Sequence, residues 1–201
     1  MATSCSLPWL LLALIVLALS CFDRSSAAAA ADPTLGFAAI ELTEDRFKLH
    51  KPYDLPPEQR CEFRDGVRRM WVYCTDKPLS PGSPTKPRSE ILLNARYTTG
   101  VWQCSARRGT LMLHVYGGRL MYYHDEARVV DGDIYDRWFR LNVVHDVEAG
   151  MLTVYVDGEK RLAVAGHGGC RHYFKFGVYT QTDPSHYMES RWRDVKVYIK
   201  I

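Results

Sequence analysis

The sequence predicts an all-β chain of the β-sandwich or jelly-roll class, and three observations carry that expectation. Roughly ten short runs of alternating apolar and polar residues follow residue 31. Turn signals separate them every 8–12 residues or so, and no stretch shows the 3.6-residue period of a convincing amphipathic helix.

The first 31 residues stand outside this pattern. An apolar run from Leu10 to Leu19 is bounded by Pro8 and Ser20 and followed by an alanine tract, Ala27 to Ala31. Ten or so apolar residues fall short of the roughly 20 that cross a bilayer. A short apolar segment followed by small residues reads as a cleavable secretory signal, although residues 2–9 hold no Lys or Arg. The domain reading is therefore a signal peptide over 1–31 and one β-sandwich domain over 32–201. It places the protein in the secretory pathway, bound for the extracellular space, the cell wall or a vacuole. After cleavage nothing holds it to a membrane; a single-pass anchor is the alternative.

The chain carries 26 Lys+Arg against 23 Asp+Glu, a formal charge of +3, and no basic block of the kind nucleic acid requires. Cleavage removes Cys5 and Cys21 and leaves Cys61, Cys74, Cys104 and Cys170. In an oxidising compartment four cysteines suggest disulfides with three possible pairings. No Cys-x-x-Cys or paired-His spacing supports a zinc site, and no metal or cofactor is expected.

Taken in order, Phe37 to Leu42 and Phe47 to Tyr53 alternate and are closed by Pro52 and Pro56-Pro57. Cys61 to Arg64 and Val67 to Cys74 flank Asp65-Gly66, a two-residue hairpin signal. That turn would set Cys61 opposite Met70 and leave Cys74 about 13 Å farther along by strand rise. This is beyond the roughly 7 Å between Cα atoms that a disulfide tolerates, so Cys61 and Cys74 are not expected to pair. Lys77 to Pro87, with four prolines, is a loop. Arg88 to Ala95 is the next strand. Leu111 to Tyr116 and Arg119 to Tyr123 flank Gly117-Gly118. Trp138 to Val147, Met151 to Val156 and Lys160 to Val164 follow, the last two joined at Asp157-Gly158. Tyr173 to Gln181 and Arg191 to Ile201 close the chain.

The most informative stretch is His172 to Gln181, His-Tyr-Phe-Lys-Phe-Gly-Val-Tyr-Thr-Gln. Alternation puts Tyr173, Lys175, Gly177, Tyr179 and Gln181 on one face, and Phe174, Phe176, Val178 and Thr180 on the other. One face suits a core. The other carries an ammonium, two phenols and an amide around a glycine that leaves room, and it reads as a binding floor. An ordinary solvated sheet face is the plain alternative. By the same rule Arg88, Glu90, Leu92 and Asn94 point one way from their strand, and Ser89, Ile91, Leu93 and Ala95 the other. An arginine there can grip a carboxylate through two parallel N–H bonds, with Glu90 orienting Arg88 or Lys175 if the two strands are neighbours. The alternative is a surface ion pair worth at most about 1 kcal/mol.

These two stretches resemble motifs of the alginate-lyase-like jelly rolls, Tyr-Phe-Lys-x-Gly-x-Tyr-x-Gln and Arg-Ser/Thr-Glu-Leu/Val-Arg. Leu92 stands where the second motif ends in arginine. Within that superfamily the chain after Ala31 is similar to the plant citrate-binding proteins, which are not known chiefly as enzymes. The run from Trp138 to Gly158 is similar to a structural hairpin of concanavalin-like sandwiches. The resemblance implies a concanavalin A-like jelly-roll β-sandwich with Arg88, Glu90, Tyr173, Lys175, Tyr179 and Gln181 as ligand-binding residues. Tyr179 would be catalytic only in a lyase. It also implies a gap. Between Gln103 and Leu111 the plant relatives hold roughly two dozen further residues, enough for about two strands. The lyases' Gln-Ile/Val-His motif has no counterpart, since His114 has no glutamine two residues before it.

The expected function is therefore a non-catalytic, monomeric binding protein whose partner is a small carboxylate such as citrate, or an acidic uronate-containing polysaccharide. A polysaccharide lyase acting by β-elimination is the alternative, and a structural cell-wall protein a third, weaker one. The signal reading is tested by N-terminal sequencing of protein recovered from the secretory pathway. The mature chain should start close to Ala31 or Asp32; a product that still begins at Met1, or stays in the membrane, would contradict it.

Overall fold

A computed structural model describes residues 32–98, 110–167, 171–180 and 185–201. They form fourteen strands and two short 3-10 turns, Glu44–Arg46 and Pro57–Gln59. The strands are β1 (Phe37–Ile40), β2 (Phe47–His50), β3 (Cys61–Arg64), β4 (Val67–Tyr73), β5 (Arg88–Thr98), β6 (Leu113–Tyr116) and β7 (Arg119–Tyr122). They continue with β8 (Val129–Asp131), β9 (Leu141–Asp146), β10 (Met151–Val156), β11 (Glu159–Ala165), β12 (Arg171–Tyr179), β13 (Tyr187–Arg193) and β14 (Val197–Lys200).

All the pairings are antiparallel, and the molecule is an all-β jelly-roll sandwich built from two packed pairs of sheets. The sheet β12-β5-β2 lies on β13-β4-β3, with Met70, Ile91 and Phe176 buried between them and Phe47, Leu49 and Trp192 closing the rim. The sheet β11-β10-β9 lies on β6-β7-β8 around Leu120, Val130, Val154 and Val156. Strands β1 and β14 pair the two ends of the chain, Phe37 opposite Lys200. Contacts between the two halves include His145 against His172, with ring centroids 4.6 Å apart, and the Arg193 guanidinium 4.5 Å over the Trp138 ring. An open cleft of about 4300 Å³ separates much of the rest.

The expected hairpins form in the expected register. Arg64 faces Val67, Tyr116 faces Arg119 and Val156 faces Glu159. In each turn both central residues have positive φ, as at Asp65 (50°) and Gly66 (76°), the two-residue geometry whose twist matches the flanking strands. Cys61 accordingly faces Met70, and Cys61 and Cys74 are both free thiols rather than half-cystines. Cys104 and Cys170 lie outside the described residues.

Two expectations are corrected and one strand is added. The final run is two strands rather than one, because Asp194 turns at a φ of 53° and frees Val197–Lys200 to pair with β1. The strand expected from Trp138 starts at Leu141; Trp138 itself is 47% exposed beneath Arg193. The short β8 carried no alternation long enough to read.

Met70 is fully buried against Ile91 and Phe176 in the core beneath the polar face described below. Met70→Ala should cost about 2–5 kcal/mol in a denaturant-unfolding experiment, the range for emptying a core site of this size.

Candidate functional site

The outer face of the β12-β5-β2 sheet is a regular grid. Cross-strand pairing sets Lys48, Leu92 and Lys175 in one row, and His50, Glu90 and Gly177 in the next. Arg88 and Tyr179 form a third. Paired residues on antiparallel strands share a face, and rows two residues apart are about 7 Å apart. The opposite face holds Ser89, Ile91, Leu93, Phe176 and Val178, all buried. The alternation expected along both strands is thus present, except that Phe174 is 39% exposed. The register slips between His172 and Phe174, which loosens that end of the β12–β5 pairing.

Gly177 carries the tightest approach. A Cβ built there would stand 2.5 Å from the Ser89 carbonyl oxygen and 2.6 Å from Glu90 Cα, and the residue has a φ of 138°. The space expected above this glycine is therefore filled by the backbone of β5. What the glycine permits is close seating of Glu90.

Glu90 is the centre of the site. Its Oε1 accepts from Lys175 Nζ at 2.8 Å and from an Arg88 guanidinium nitrogen at 3.0 Å. Side-chain exposure is only 12% for Arg88 and Glu90 and 27% for Lys175, so these are not loose surface pairs. Burial alone would raise the Glu90 carboxyl. The hydrogen bonds and charges of Lys175 and Arg88 outweigh it and hold the group below the ordinary carboxylate range, so Glu90 is ionised near neutrality. Arg88 also lies 4.4 Å over the Tyr179 ring, and its Nε is a buried donor with no partner. Lys175 Nζ stands 5.9 Å from the Tyr173 ring centroid.

Arg88, Glu90, Lys175, Tyr173 and Tyr179 are thus brought to one face, because the two strands whose alternation was read are neighbours. Gln181 lies outside the described residues. Tyr173 and Tyr179 are 57% and 42% exposed, open to a ligand. The Tyr179 hydroxyl makes no hydrogen bond among the described residues.

His50 and Lys48 also belong to this face and were not singled out from the sequence. The alternation of Phe47-Lys48-Leu49-His50 was legible, but that β2 pairs with β5 was not. His50 Nδ1 lies 3.4 Å from Lys175 Nζ and 3.6 Å from Glu90 Oε1. Burial and then the Lys175 charge lower its pKa, against the opposing pull of Glu90. With a neutral imidazole the group Arg88, Lys175 and Glu90 carries one net positive charge.

His114 sits on β6, in the other half of the molecule, beside Tyr116 and Tyr123. Burial lowers its pKa, with a smaller push from His124, and its Nδ1 is buried without a partner. It shares no sheet with Tyr179. Among the described residues no group of His, Cys, Asp and Glu could hold a metal ion.

Comparison with known proteins gives a consistent answer. The family model described as "Alginate lyase" matches residues 104–199. A citrate-binding protein of Hevea brasiliensis is 43% identical over 191 residues, covering 84% of this chain and 79% of that protein. That share of a 201-residue chain is fewer than 191 residues, so the relative holds residues within the matched region that this chain lacks. The fold is similar to that of alginate lyase AlgAT5 of polysaccharide lyase family 7, with a TM-score of 0.57 and 17% identity over 77% of this chain and 94% of that one.

Because a side chain at residue 177 meets β5 backbone and not a flexible neighbour, Gly177→Ala should destabilise the fold by about 1–3 kcal/mol. Urea titration of parent and variant checks this; an unchanged midpoint would show that β12 can shift away from Glu90 without cost.

Proposed function

This chain belongs to the citrate-binding-protein-like branch of the alginate lyase jelly-roll superfamily, and from that premise we propose that it binds a carboxylate-bearing ligand on the polar face of β12, β5 and β2 without cleaving it. One observation carries the reading. Lys175 and Arg88 already converge on a single carboxylate oxygen, at 2.8 and 3.0 Å, within a face that keeps a net positive charge. A group that holds Glu90 in this way has the donors and the spacing to hold a ligand carboxylate. Tyr173 and Tyr179 supply exposed ring area beside it, and Gln181, next along the chain, is assigned to the same site on its motif position. Citrate and the uronate carboxylates of an acidic polysaccharide both fit this chemistry. The ligand would be met in the secretory pathway, the cell wall or a vacuole, by a monomer.

The lyase reading is kept because the matched family model and the shared fold are those of alginate lyases. β-Elimination from a uronate needs three things: neutralisation of the carboxylate, removal of the adjacent proton, and protonation of the leaving oxygen. Arg88 and Lys175 could do the first. Tyr179, at the motif tyrosine's position, is the candidate for the second and third. A phenol, whose pKa is ordinarily about 10, needs a cationic or hydrogen-bonding partner to act as a base near neutrality. The Arg88 guanidinium over its ring is such a neighbour, but it contacts the ring and not the hydroxyl.

Calorimetric titration with citrate, malate and oligouronates, alongside an ultraviolet assay for the unsaturated elimination product, separates the two readings. Binding without product is expected. Arg88→Ala should weaken binding about ten- to a hundredfold, the equivalent of one charge-assisted contact of about 1.5–3 kcal/mol. Tyr179→Phe should do less, since the ring stays. Elimination activity lost in Tyr179→Phe would establish the lyase instead, and no affinity for any carboxylate would remove the site.

A further inference from the structure

His50 stands where the charges of this face meet, and the binding reading leaves it without a role. A neutral imidazole has one accepting nitrogen. With an ammonium 3.4 Å away, Nδ1 is that acceptor, turned toward Lys175, while Glu90 Oε1 at 3.6 Å is served by Lys175 and Arg88. A proton on Nδ1 reverses these preferences. The imidazolium repels Lys175 and donates toward Glu90, so Glu90 can be compensated from β2 while a cation on β12 or β5 turns to an incoming anion.

The surroundings of His50 favour such an exchange. From β12 it faces Lys175, and from β5 Glu90 and Arg88. On its own strand Lys48 lies two residues back on the same face. Lys51, next in the chain, directs its ammonium to the Pro52 and Leu55 carbonyls and away from the site. In the free protein burial and the Lys175 charge keep the imidazole neutral near neutrality. A bound anion adds the opposite field and favours the charged form.

We propose that His50 is the proton-accepting member of the anion site, so that a carboxylate ligand docks on Lys175 and Arg88 together with one proton taken up at Nδ1. The proposal rests on the carboxylate-binding reading and adds a proton to it. The linkage has a definite sign. The complex holds more protons than the free protein between the lower, free pKa of His50 and its higher, ligand-bound one. Affinity therefore rises as pH falls through that window, and levels off below it. The site is thereby tuned to capture acidic ligands in an acidified compartment and to release them near neutrality.

The test titrates citrate and, separately, trigalacturonate into the purified parent protein and His50→Gln by calorimetry. Titrations are run at about pH 7.5 and about pH 5.5, on either side of the ordinary histidine value near 6.5. Each is run in two buffers of different ionisation heat, so that proton uptake is counted directly. Citrate titrates in this range itself, but equally for both proteins, so the difference between parent and variant isolates His50. The parent should gain about tenfold in affinity at the lower pH relative to His50→Gln and take up an extra fraction of a proton, at most one, per ligand. An equal pH dependence and equal proton count in the two proteins would overturn the proposal while leaving the binding reading intact. Failure of both ligands to bind at either pH would overturn the binding reading itself. If His50→Gln does not fold, the parent decides with trigalacturonate, whose carboxylates stay ionised throughout. Proton uptake together with a ligand-induced rise of the His50 ring titration by NMR supports the proposal, and binding without either overturns it.

Discussion

The close seating of β12 on β5 at Gly177 and Glu90 is the constraint on which the rest of this face depends. Gly177 has no Cβ, and one would meet β5 backbone at 2.5–2.6 Å. The sheet therefore keeps Lys175 and Tyr179 on β12 in step with Leu92 and Arg88 on β5. That step brings an ammonium and a guanidinium to the same oxygen of Glu90 from two different strands. β2 completes the grid from the other side and brings His50 into the same row as Glu90. None of these side chains is positioned by a loop, so their spacing is as rigid as the core of Met70, Ile91 and Phe176 beneath them.

The same arrangement explains why a carboxylate stands in the site at all. Arg88 and Lys175 are mostly withdrawn from water, and two like charges left side by side in such a place are costly. Glu90 supplies the counter-charge when no ligand is present. The consequence is competition. A ligand carboxylate would have to share or displace donors that Glu90 already occupies, and Arg88, Lys175 and Glu90 together offer one net positive charge while His50 is neutral. On the proposed reading the site would exchange one carboxylate for another, with an affinity set by how cheaply Glu90 can be compensated from elsewhere.

Much of the fold was legible because it is written in local signals. Asp65-Gly66, Gly117-Gly118 and Asp157-Gly158 each fix a hairpin and its register within a few residues. Alternation put Arg88 and Glu90 on one face of β5, and Tyr173, Lys175 and Tyr179 on one face of β12; that the two faces are continuous depends on the β5–β12 pairing. What could not be read is non-local. Nothing in Phe47 to His50 says that this strand lies beside β5, so His50 and Lys48 were missed although their own alternation was plain. The break at Asp194 was hidden for a related reason. The residue adopts positive φ so that β14 can reach β1, a pairing between opposite ends of the chain. Similarly, Gly177 read as open room on a binding floor, whereas the space is taken by the β5 backbone.

Binding and elimination make different demands on this architecture. A carboxylate held by Arg88 and Lys175 needs one sheet face, and β2, β5 and β12 provide it over a core of their own. Elimination needs, in addition, acid and base groups held at set distances around a sugar ring. The related Hevea brasiliensis protein carries residues within the matched region that this chain lacks, and the expected site of that difference, between Gln103 and Leu111, falls largely outside the described residues. Shortening there leaves the Glu90 grid untouched, because none of its members comes from that part of the chain. The two donors a carboxylate needs, Arg88 and Lys175, are therefore held on this face independently of that segment.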